Sequence, residues 1–126
     1  MDPSYSIKKF KQACKQGKSK VLVLRYAKLT ARKDFGLKTK KEILRFVAND
    51  GLEHLKFICT NEWRANPDKK NSAKVDSYEF YSGKLYGYIA FVFIEKTQMW
   101  LIKSFKKNEN SGVRHQPFQV LEKLIH

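Results

Sequence analysis

Cysteine and histidine are both scarce in this chain of 126 residues, at two and three copies, and the shortage removes whole classes of chemistry. Cys14 and Cys59 stand alone, with neither the C-x-x-C nor the Cys–His spacing that frames a zinc site. They are expected as free thiols in amphipathic segments. His54, His115 and His126 are scattered, with nothing at a fixed offset to complete a catalytic arrangement, so each is read as a surface or hydrogen-bonded histidine. Paired carboxylates, a Gly-rich phosphate loop, H-E-x-x-H and a nucleophile elbow are all missing. That disfavours metal-assisted hydrolysis, Ser or Cys nucleophiles and glycosidase chemistry. No apolar run reaches the length of a membrane span, and MDPSYSIKKF lacks the apolar core of a signal peptide. The expectation is a cytoplasmic protein without a membrane partner.

Acidic residues are also few. Twelve Asp and Glu face 26 Lys and Arg, a formal net charge of +14, which favours a polyanionic partner. Residues 1–50 hold 14 of the basic and 4 of the acidic side chains, so the excess sits mainly in the N-terminal half. That surface suits an acidic protein partner as well as nucleic acid.

The N-terminal half reads as helices. Ile7, Phe10 and Cys14 recur at helical spacing ahead of Gly17, and Leu24, Ala27, Ala31 and Phe35 form a stripe closed by Gly36. Between them, KVLVL over 20–24 suits a brief strand or the entry to the second helix. Thr39 with Glu42 forms a capping box for a third helix over about 40–48, ended by Asn49-Asp50-Gly51. From Leu55 to Thr60 the pattern alternates as a strand does, with Lys56 in its middle. Val75–Tyr81, Leu85–Ile94 and Met99–Phe105 then read as a three-stranded antiparallel meander whose middle strand is apolar nearly throughout. The fold class is therefore α+β: about three N-terminal helices on one face of an antiparallel sheet of four or so strands. A further helix behind Pro117 closes the chain. One domain spans 1–107, and 108–126 extend it.

Lys, Arg and Tyr side chains on a sheet suit RNA cleavage. A phosphodiester attacked by its own 2′-OH needs a proton acceptor, a proton donor and cations around the charged phosphorane, and no metal or other cofactor. The same side chains equally suit plain RNA binding. IKKF in the first helix, FGL before the third, EHLK entering the next strand, then D-x-Y, G-K-L-Y and SFK occur in this order over residues 6–107. In these the chain resembles the motility quorum-sensing regulator (MqsR) toxins, compact RelE-like mRNA interferases. The resemblance implies a toxin of a toxin–antitoxin pair, a ribosome-independent endoribonuclease that cuts mRNA at short GC-containing sequences and is silenced by a cognate antitoxin, expected to be acidic where it docks. It also implies Lys56, Tyr86 and Lys106 as cleavage residues. Val75 stands where the family has a glutamine, and Asn71 could replace it only if its loop folds back.

Arg64, Lys69 and Lys70 in the loop over 61–74, with Lys103 and Lys107 on the last strand, complete the expected RNA contacts. A basic nucleic-acid-binding module without catalysis, and a toxin acting on a protein such as gyrase, are the alternatives. The shared site imposes a register: Tyr86 and Lys106 must project from one face of the hairpin over 84–107. A three-residue connection, Glu95–Thr97, would place Tyr86 across from Lys106, and a bulge could restore the same phase.

Overall fold

The computed structural model of the chain describes residues 1–108. The element order is α1 (Ile7–Gln16), β1 (Val21–Val23), α2 (Arg25–Phe35), α3 (Lys40–Ala48), β2 (Glu53–Glu62), β3 (Lys74–Ser82), β4 (Leu85–Ile94) and β5 (Met99–Lys107). The closing helix expected behind Pro117, and all of the extension but Asn108, lie outside the described residues.

Local chemistry places the helix ends where the sequence put them. Ser6 caps α1 by accepting from the Lys9 N–H, and Gly17 ends it at φ 96°. Gly36 ends α2 in the left-handed region. At α3 the Thr39 hydroxyl accepts from the Glu42 N–H at 3.1 Å, while Glu42 reaches back one residue beyond the usual box, to the Lys38 N–H.

The sheet corrects the expected architecture. It has five strands in the order β1-β5-β4-β3-β2, and it is mixed, because β1 runs parallel to β5 with Val21 beside Trp100 and Val23 beside Ile102. The KVLVL segment is thus an edge strand rather than the start of a helix. Val21 is buried and Leu22 exposed, the period-two pattern of a strand. Its partner lies nearly 80 positions away in sequence, and no local pattern encodes that choice.

β1 covers only the first part of the β5 edge. Beyond it α2 takes over: the Leu24 N–H donates to the Ile102 carbonyl at 3.0 Å, Thr30 Oγ1 donates to the Phe105 carbonyl at 2.6 Å, and Asp34 Oδ2 accepts from the Lys107 N–H at 2.9 Å. An edge that would otherwise template aggregation is satisfied by a strand and then by helix side chains.

The first face of the sheet carries the main core. Tyr78, Phe80, Ile89, Phe91, Trp100, Ile102 and Phe105 pack with Phe10, Ala27, Ala31, Ile43, Leu44 and Val47 from the three helices. Phe10 stacks on Phe91 at 3.8 Å between ring centroids. Gly87 faces the same layer, and a Cβ there would run into the Phe80 ring. Asp76 is fully buried, its two carboxylate oxygens accepting from the Ser4 and Tyr5 N–H groups at 3.0 and 2.9 Å. The chain's start is tied down by a side chain more than 70 residues away.

On the second face Val75, Ala90, Val92 and Leu101 form a smaller apolar cluster under Trp63. This cluster fills the end of the sheet nearest the β4–β5 turn. The other end of the second face is polar.

Candidate nucleic-acid interface

Register builds this polar end. Lys56 pairs with Glu79, Glu79 with Tyr88, and Tyr88 with Lys106, so four side chains from four strands form one row across the sheet. The ends of the row stand three strand spacings apart, about 14 Å between backbones. A bulge near His54 shifts the β2–β3 register between Glu53 and Lys56, and Lys56 on the far side of it lies opposite Glu79.

The β4–β5 hairpin meets the expected phase by another route. Its connection has four residues, Glu95–Gln98, with Ile94 opposite Met99 and Gln98 at φ 59°. That pairing alone would turn Tyr86 and Lys106 to opposite faces. A bulge at Lys103 takes up one residue, so Phe91 pairs with Ile102 but Ala90 with Ser104. Tyr86, Tyr88 and Lys106 thereby share the second face. It is Tyr88, not Tyr86, that lies across from Lys106 and Ser104 that lies across from Ala90, so the three-residue connection and its pairings are corrected while the shared face stands.

The three expected cleavage residues are not brought to one point. Tyr86 is buried and its hydroxyl donates to Glu79, itself buried. Lys56 is exposed at the β2 end of the row, and Lys106 is exposed at the β5 end with its ammonium 5.7 Å from the centre of the Tyr88 ring. The Tyr88 hydroxyl shares a hydrogen bond of 2.9 Å with Ser77 Oγ. Glu79 and Tyr88 were missed by sequence reasoning. The signal was available: strand alternation puts Glu79 on the face of Val75, and Tyr88 on that of Tyr86.

At the β5 end the row opens into a cleft of about 530 Å³ between α2 and the sheet. Lys33, Lys103, Lys106 and Lys107 line it together with Tyr26, Tyr88 and Asp34. Four lysines lining one concavity suit a phosphate group. Lys103 and Lys107, expected as RNA contacts, line the same cleft as Lys106.

Arg64, Lys69 and Lys70 do not. They sit on the loop at the opposite end of the strands, where Lys69 Nζ donates to the Arg64 carbonyl. Lys70 lines a second cleft of about 890 Å³ with Tyr5, Trp63, Phe93 and Lys96. In that loop Asn66 donates to the Asn71 carbonyl and Asn71 donates to Asp68, whose carboxyl is held below its usual range by the Asn71 amide and the Lys70 N–H. Asn71 is therefore engaged inside the loop, and Val75 lies in the apolar cluster, so neither supplies the missing glutamine to the row.

Among the described residues, no three His, Cys, Asp or Glu side chains converge as metal ligands, and no helix is long and apolar enough to cross a membrane. Comparison with protein-family models, curated proteins and solved structures finds no match to this chain.

Proposed function

We propose that this chain is an endoribonuclease that binds single-stranded mRNA across the second face of its sheet and cleaves it through the RNA's own 2′-OH, as the toxin of a toxin–antitoxin pair. The observation that carries the reading is the row Lys56–Glu79–Tyr88–Lys106, with a cation at each accessible end and a four-lysine cleft beyond one of them. An extended strand crossing the row meets ammonium groups at two separated phosphates, with the half-buried Tyr88 between them. The Tyr86–Glu79 hydrogen bond braces the row from the neighbouring position on the same face. Tyr86 on this reading positions and does not touch RNA.

The test is incubation of the purified protein with a defined mRNA in the presence of EDTA, with the product ends mapped. Cleavage leaving a 2′,3′-cyclic phosphate and a 5′-hydroxyl is the expected result. Lys56→Ala and Lys106→Ala should each lower kcat/KM by about 10²–10³ while leaving the melting temperature within a few degrees. Full activity in both folded variants would end the assignment of the row.

A second reading has its own support: the separation of Lys56 from Lys106 and the burial of Tyr86 favour RNA binding without cleavage. It is the outcome in which wild-type protein binds RNA with a steep salt dependence and leaves it intact.

A further inference from the structure

The proposed cleavage still needs a group that accepts a proton near neutrality. Lysine and tyrosine side chains ordinarily titrate near pH 10, so at neutrality they hold protons to donate and are poor acceptors. Imidazole is the side chain suited to it, and His54 is the sole histidine among the described residues. It stands at the polar end of the sheet, exposed, two residues before Lys56. Its backbone is at φ 51°, in the left-handed region, where a non-glycine residue is uncommon. The register shift of β2 falls at this position, and the ring packs edge-on to Tyr81 at 6.2 Å. Tyr81 in turn lies 5.1 Å from the Tyr86 ring, whose hydroxyl donates to Glu79. An ordinary strand residue would need neither the bulge nor the unusual φ. Together they hold the imidazole against Tyr81, two residues along β3 from Glu79, the partner of Lys56.

We propose that His54 is a catalytic residue of this site, the general base that takes the proton from the attacking 2′-OH. The inference rests on the ribonuclease reading above. In the step, the 2′-hydroxyl proton passes to the free imidazole nitrogen as the 2′-oxygen bonds to phosphorus. The bond from phosphorus to the 5′-oxygen breaks, and that oxygen takes a proton from the Lys56 ammonium, which regains one from solvent. His54 then releases its proton to water. The charged and titratable groups around His54 are Glu53 and Lys56 on β2, Tyr81 and Glu79 on β3, and Tyr86 on β4. Glu53 is engaged through Oε1, which accepts from the Gly83 N–H at 2.9 Å.

Two variants test this, His54→Asn and His54→Gly, since both residues tolerate a positive φ and so preserve the bulge. Wild-type kcat/KM should rise from acid toward neutral pH, as required of a base that works only unprotonated. Both variants should lose about 10²–10⁴ in kcat/KM and that rise with it. Added imidazole should restore part of the activity of His54→Gly, which a purely structural role would not allow. Folded variants with wild-type rate and the same pH dependence overturn the assignment of His54 alone. If wild-type protein leaves RNA intact across pH 5 to 9, the ribonuclease reading fails and the assignment falls with it.

Discussion

A single thiol illustrates how burial writes a pH dependence into this molecule. Cys14 lies on the buried face of α1, in the main core, and burial pushes its thiol up from an ordinary value near 9 to about 12. A group whose value is raised on folding contributes stability in full below its unfolded value and loses it as pH rises through the folded one. The window for Cys14 therefore opens near pH 9 and closes near 12. Tyr5 and Tyr78, both raised chiefly by burial, act in the same direction at higher pH. Cys14→Val, close in volume and without a proton to lose, should melt at a temperature that falls less steeply than wild type between about pH 9 and 11. Parallel curves for the two proteins over that range would contradict the buried, protonated thiol. Asp76 shows the same scale from the polar side. It looked like half of a family motif in D-x-Y, and in the fold its carboxylate anchors the Ser4 and Tyr5 N–H groups while Tyr78 packs in the core.

At the scale of elements, the seam between α2 and β5 joins the fold to the candidate site. The helix seals the β5 edge with Thr30 and Asp34, and its outward side forms one wall of the four-lysine cleft. Thr30→Val keeps the shape and removes the donor to the Phe105 carbonyl, so it should cost about 1–2 kcal/mol, read by denaturant unfolding with an unchanged m-value. On the ribonuclease reading the same variant should also weaken RNA binding, because the cleft wall loses its tie to the strand carrying Lys106. A Thr30→Val protein as stable as wild type would show that the seam is held by packing alone. The bulges are the other decisive elements. One residue inserted at Lys103 decides whether Lys106 sits on the second face or under the helices, and one near His54 decides the same for Lys56.

Over the whole molecule the positive charge is crowded as well as abundant. Desolvation and the nearby ammonium groups of Lys28 and Lys18 lower the pKa of Lys40, an arrangement bridging the end of α1 and the starts of α2 and α3. A field of this kind draws a polyanion in from solution, and it is screened beyond about 8–10 Å at physiological ionic strength. If the chain cleaves RNA, kcat/KM should fall by about tenfold or more between 50 and 200 mM salt, mostly through substrate capture. A value flat across that range would remove steering by this field.

What the amino-acid order determined by itself was local. Helix ends at Gly17, Thr39 and Gly36, the apolar stripes of α1–α3, the alternation of β2 and the apolar run of β4 all follow from patterns within a few residues, and each was legible as such. Several letters of the motifs that suggested a toxin proved to pack in or against the main core: Ile7 and Phe10 in IKKF, Phe35 and Leu37 in FGL, Phe105 in SFK. Only tertiary structure decided the parallel docking of β1, because a three-residue strand has no local preference among edges and its partner is chosen by closing a core around Val21. The candidate site belongs to the same class. Lys56, Glu79, Tyr88 and Lys106 lie on four strands, and bulges in β2 and β5 phase them onto one face; a bulge depends on how two strands twist together, which neither strand's sequence states alone.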